Sequence, residues 1–103
     1  MTKNPYQEAE ALYEAILQLK NVEECRSFFE DLCTIKEMMD MTQRLEVAKL
    51  LDAGKNYQEI CRATGASTAT ICRVNKCLNY GSLGYRTVID RINAQKETNN
   101  DET

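Results

Sequence analysis

An all-α fold is what this sequence of 103 residues predicts, and three observations predict it. Apolar residues recur at spacings of three and four, the period of a helix face, rather than at the spacing of two that a strand requires. Glycine occurs four times and proline once, too few to punctuate a chain of short strands. Helix-capping residues stand just ahead of the apolar stripes.

The first helix opens in "NPYQEAEALYEAILQL", with Asn4 as cap, Pro5 at the first helical position and a stripe of Ala9, Leu12, Tyr13, Ile16 and Leu19. A second, "VEECRSFFEDLC", sets Val22, Cys25, Phe28, Phe29 and Leu32 on one side and ends near Thr34. There "TIKE" forms a capping box, Thr34 with Glu37, for a longer third helix that buries Ile35, Met38, Met39, Leu45, Ala48 and Leu51 and stops at Gly54. "NYQE" repeats the box with Asn56 and Glu59 and opens a short helix that Gly65 must end; Ser67 then caps the next. "NYGSLGY" follows as a turn-rich loop and "RTVIDRINAQK" as the final helix. Residues 1–95 therefore read as one helical domain, and 96–103 as a disordered acidic tail.

Composition narrows the function. No apolar run approaches the ~20 residues of a membrane span, and the N-terminus lacks the apolar core of a signal peptide, so a cytoplasmic location with no membrane partner is expected. Five cysteines without a CxxC spacing, and no histidine at all, predict reduced thiols and no metal site. With no histidine, no paired carboxylates and no activated nucleophile standing out, the chain does not read as an enzyme. The charge is segregated: residues 1–54 hold six Lys and Arg against eleven Asp and Glu (−5), residues 55–96 seven against two (+5), and residues 97–103 three acids (−3). A basic unit between acidic flanks points to a polyanionic partner for the second half.

Two short helices joined by a tight glycine turn form a helix-turn-helix over about residues 57–78. Counting from Tyr57, the fifth place must be small, and Cys61 is; the ninth must accept a left-handed backbone, and Gly65 does. Ile60, Ala66, Ile71 and Val74 occupy the places that lock the helices together, with Leu78 continuing the stripe and Thr64 standing where an aliphatic is more usual. Ser67, Thr68, Ala69, Thr70, Arg73 and Lys76 are left for the opposite face or its start. Small hydroxyl and methyl groups there permit close approach to base edges and thymine methyls, and the helix N-terminus favours phosphate. Double-stranded DNA is thus the expected partner, with Thr68, Ala69 and Thr70 reading bases and Arg62, Arg73 and Lys76 holding phosphates.

"TGASTATICRVNKCLNYG" together with "FFEDLCTIKEMMDMTQRLEVAKLL" resembles the tryptophan repressor family, and most of all its TrpR-like branch of short regulators, over about residues 22–92. The resemblance implies an intertwined helical homodimer in which the N-terminal helices of both chains build the core and each head enters a major groove. It implies a transcriptional regulator acting as a repressor on a palindromic operator. A helical protein-interaction module of the transcription machinery is the alternative. The family's corepressor, L-tryptophan, lies between two arginines with a threonine and a serine at its head group. The matching positions here are Arg44, Arg73, Thr34 and Cys77, with Val74 where the family has a glycine beside the indole. An isopropyl group in that space, and a thiol for a hydroxyl, predict that L-tryptophan binds weakly or not at all. The regulator then uses another small molecule or none.

Overall fold

A computed structural model describes residues 4–101 of the protein, with side chains described over 4–98. Among the described residues there are seven helices and no strand: α1 (Pro5–Glu8), α2 (Glu10–Ile16), α3 (Val22–Leu32), α4 (Ile35–Asp52), α5 (Tyr57–Thr64), α6 (Thr68–Tyr80) and α7 (Gly84–Asp101). The chain divides into two compact units at a boundary within α4, one up to Met38 and one from Met39 onward.

In the first unit the Asn4 side chain accepts the Tyr6 N–H at 2.9 Å, so the expected cap forms. The expected single helix is split. The Asn4 carbonyl takes bonds from both Gln7 and Glu8, which tightens the first turn, and the ladder breaks at Ala9 (ψ −1°) before α2 begins. α2 ends at Ile16, short of Leu19, because the Gln18 and Leu19 N–H groups reach back only three residues. Asn21 caps α3 by accepting from Glu24 N–H at 2.8 Å, while the Glu24 carboxylate accepts from Lys20 N–H at 2.9 Å. Phe28 and Phe29 meet edge to face at 5.5 Å.

The apolar stripe of this unit remains open. Leu17 is 80% exposed and Val22 66%, and Leu12, Tyr13 and Leu32 are exposed too. Ile35 (81% exposed) and, at the start of the second unit, Met39 correct the expectation that the first half of α4 buries its apolar side chains. The stripe is amphipathic, as the sequence says, but the first unit does not itself supply the surface that covers it.

The second unit has a closed core of Val47, Ala48, Ile60, Ala66, Ile71, Val74 and Ile89, flanked by Leu50, Leu51, Tyr57, Cys61, Leu78 and Tyr85. Apart from Ala66, which lies in the turn between α5 and α6, all of it is contributed by the end of α4 and by α5, α6 and α7. Ile60, Ile71, Val47 and Val74 are fully buried or nearly so, each contributing about 1.5–3 kcal/mol.

The loop expected over "NYGSLGY" shrinks to three residues. α6 continues through Tyr80, where the Gly81 N–H closes it onto the Cys77 carbonyl at 2.9 Å. A Cβ on Gly81 would lie 2.3 Å from that same oxygen, so only glycine fits. Leu83, at φ 69°, turns the chain through the left-handed region, and its carbonyl accepts the Thr87 N–H to start α7. α7 corrects the expected tail: it runs on to Asp101 because Ala94, Gln95, Lys96 and Glu97 are good helix formers and Thr98 bonds back to the Ala94 carbonyl at 3.1 Å. Only Glu102 and Thr103 of that segment lie outside the described residues.

Candidate nucleic-acid interface

The site is built from the α5–α6 turn. Asn56 accepts the Glu59 N–H at 2.9 Å and the Glu59 carboxylate accepts the Asn56 N–H at 3.4 Å, a closed capping box that fixes where α5 starts. Gly65 ends it at φ 73°. Thr64, the residue that fits the motif least by type, has a role in the turn. Its hydroxyl donates to the Ile60 carbonyl at 2.7 Å and accepts the Ala66 N–H at 3.1 Å, satisfying backbone that an aliphatic would leave open. From α4, the Gln43 side chain donates to the Thr64 carbonyl at 3.1 Å. No local pattern in the sequence marks Gln43, because its partner is 21 residues away.

α6 starts where the sequence places it, with the Ser67 hydroxyl accepting the Thr70 N–H at 3.2 Å. Ile71 and Val74 turn into the core, and Leu78 packs against it. Ser67, Thr68, Ala69, Arg73 and Lys76 are all exposed. Thr70 differs from its neighbours: it is half-buried, and its hydroxyl accepts a bond from Ser67 Oγ at 3.1 Å. Arg62, exposed on α5, lines an open groove of about 530 Å³ with Tyr57, Gln58, Cys61 and Thr68, so a cation and the first residue of α6 share one surface hollow.

Tyr57 joins α5 to α6. Burial, then the Cys72 thiol, push its phenol up from the usual tyrosine range, while a hydrogen bond with Asn75 pulls it down. The group is therefore neutral near pH 7 and bridges the two helices without adding charge to the surface.

The five residues matched to a ligand pocket are not all on one surface of the second unit. Thr34 belongs to the first unit, where its hydroxyl accepts the Glu37 N–H at 3.1 Å and its own N–H donates to Glu37 Oε1 at 2.8 Å. Arg44 is half-buried on α4, and Arg73 and Cys77 are exposed one turn apart on α6. Val74 is 1% exposed and part of the core rather than of an open wall. An open cleft of about 610 Å³ does lie beside Cys77, and its apolar lining comes from Leu45, Tyr85 and Val88.

All five cysteines carry free thiols. Among the described residues no group of three or more acidic, cysteine or histidine side chains could hold a metal ion, and no helix is long and apolar enough to cross a membrane.

The family model described as Trp repressor protein matches residues 7–93. Protein YerC of Bacillus subtilis (strain 168), described as uncharacterized, is 53% identical over 91 residues, spanning 88% of this chain and 85% of the relative. The crystal structure of a TrpR like protein from Eubacterium eligens ATCC 27750 superposes with a TM-score of 0.81 at 52% identity, covering 84% of this chain and 90% of that one.

Proposed function

This chain belongs to the Trp repressor protein family, a family of DNA-binding transcriptional regulators, and from that premise we propose that it works as a homodimeric repressor on a two-fold symmetric operator. One observation carries the reading: α6 sinks Ile71 and Val74 into the core while presenting Thr68, Ala69, Arg73 and Lys76 outward behind a capped N-terminus. Thr68, Ala69 and Thr70 read base edges. Arg62, Arg73 and Lys76 neutralise phosphates, which accords with the +5 of residues 55–96.

The dimer rests on the open apolar stripe of α2, α3 and the start of α4. Apolar side chains as exposed as Val22 and Ile35, with Leu12, Tyr13 and Leu32 beside them on their helices, call for cover, and a second copy is the partner that supplies it by symmetry. The protein acts in the cytoplasm, and its chemistry is binding, not catalysis.

Val74 fills the core where an indole would need room, and Cys77 offers an ammonium group a poor acceptor, so L-tryptophan binds weakly or not at all and the regulator uses another small molecule or none. Sedimentation combined with titration of duplex DNA across salt concentrations tests the reading: a dimer whose DNA affinity falls steeply with salt supports it. A monomer, or salt-independent capture of protein rather than DNA, sinks it.

A further inference from the structure

Asp52 is the last residue of α4, and Arg86 is the third of α7. Each is on the wrong end of its helix. A carboxylate at a C-terminus and a guanidinium in a first turn both oppose the helix dipole, so neither is explained by its own helix. They are explained by each other. Arg86 Nη2 donates to Asp52 Oδ1, and Arg86 Nε donates to Asp90 Oδ1 at 3.1 Å.

Between these two residues runs the whole of α5, the turn and α6. The bond from Asp52 to Arg86 joins positions 34 apart in sequence and so closes the base of the loop of chain that carries the helix-turn-helix. The Asp52 side chain is 23% exposed and that of Arg86 39%, shielded enough for the pair to hold a preferred geometry. Asp90, at 62%, lies further out and steers the guanidinium from the same helix. Two carboxylates on two separate nitrogens suit the planar fork of arginine; a lysine ammonium offers all its donors from a single nitrogen.

We propose that Arg86 is a positioning residue for DNA binding: it clasps α7 to the foot of α4 and thereby holds the segment carrying α5 and α6 in its reading attitude. The clasp touches no base or phosphate. It acts through α6, and it rests on the proposed function only for its effect on DNA, not for its effect on the head itself.

The sign of one substitution separates this role from a surface ion pair of no consequence. If Asp52 merely ends α4, Asp52→Asn removes an adverse charge and tightens the helix. If Asp52 is half of a clasp, the same change loosens the head. Hydrogen exchange on the full chain without DNA reads this directly, with residues 45–50 of α4 as the internal reference. We expect Asp52→Asn and Arg86→Gln each to speed exchange over residues 57–80 by about three- to tenfold while the reference changes less than about twofold. The exchanged pair, Asp52→Arg with Arg86→Asp, combined with Asp90→Asn so that no second carboxylate opposes the one placed at position 86, restores protection, because the charges still meet and each then suits its helix end. Arg86→Lys restores it in part. Affinity for sheared duplex DNA, followed by fluorescence anisotropy, falls where exchange speeds and returns where protection returns.

Unchanged or slower exchange over 57–80 in Asp52→Asn overturns the clasp. So does a uniform rise across the second unit, or an exchanged pair as loose as the single variants. If the exchange behaves as expected but the unsubstituted protein does not bind the DNA, the clasp stands and the DNA-binding role falls.

Discussion

Ser67 and Thr70 hold each other: the Ser67 hydroxyl accepts the Thr70 N–H at 3.2 Å and donates to the Thr70 hydroxyl at 3.1 Å. One residue thus both starts the reading helix and orients a side chain proposed to read bases. Ser67→Ala removes the cap and is expected to destabilise the protein by about 1 kcal/mol in thermal unfolding, and Ser67→Asp to keep most of that stability. Near-equal melting of all three proteins would mean that the cap contributes nothing to α6.

Thr70 and Arg73 differ in the kind of loss they produce. Thr70→Ala is expected to relax preference at one base pair, by about 1–3 kcal/mol for the preferred site. Arg73→Ala weakens binding to every sequence alike and reduces the salt slope by about one. Anisotropy titrations of preferred and scrambled duplexes across salt concentrations distinguish the two patterns. The recognition face is misassigned if neither variant departs from the parent.

Acid should weaken the capping box at the start of α4. The Thr34 backbone N–H, and then the Thr34 side chain, hold the Glu37 carboxyl below its usual value of 4.5. A carboxylate depressed in the folded state stabilises fully above its unfolded value. That contribution is lost as pH falls below 4.5 and through the lowered folded value. An NMR titration of the Glu37 carboxyl, with Glu37→Gln as the flat control, reads the window. A Glu37 midpoint at or above the ordinary value would contradict the capping box.

Restoring the family residues should create what this chain lacks. Val74→Gly with Cys77→Ser removes a core side chain and puts glycine in a helix interior, with an expected loss of about 2–4 kcal/mol. The same pair makes room for an aromatic ring near Arg73. Isothermal titration with L-tryptophan is expected to give little or no binding to the parent and measurable binding to the double variant. Saturable low-micromolar binding to the parent, tightening its hold on DNA, would refute the expectation.

The helix-turn-helix was legible because its signals are local. A cap at Asn56, a left-handed glycine at Gly65 and a cap at Ser67 each determine a few residues around themselves, and the structure places all three accordingly. Ile35 and Met39 were harder. An apolar stripe tells which side of a helix wants cover, but not whether its own protomer covers it. The burial of Val47 and Ile89 is not legible in the sequence for a related reason: core membership depends on which helices meet. The Asp52–Arg86 pair was invisible, since each residue looks misplaced until the fold brings the two together. The end of α7 is hidden in the sequence because a polar run says little about whether good helix formers continue a helix already begun.

Selection of bound fragments from randomised duplex DNA, followed by sequencing, tests the central claim most directly. Two reading helices in a symmetric dimer should enrich a palindrome whose half-sites lie about one helical turn, 10–10.5 base pairs, apart. Enrichment should vanish when Thr68, Ala69 and Thr70 are replaced together, while weak, salt-sensitive binding to all DNA survives. A pool that stays random after repeated rounds, or that enriches a single unpaired half-site, would contradict the account.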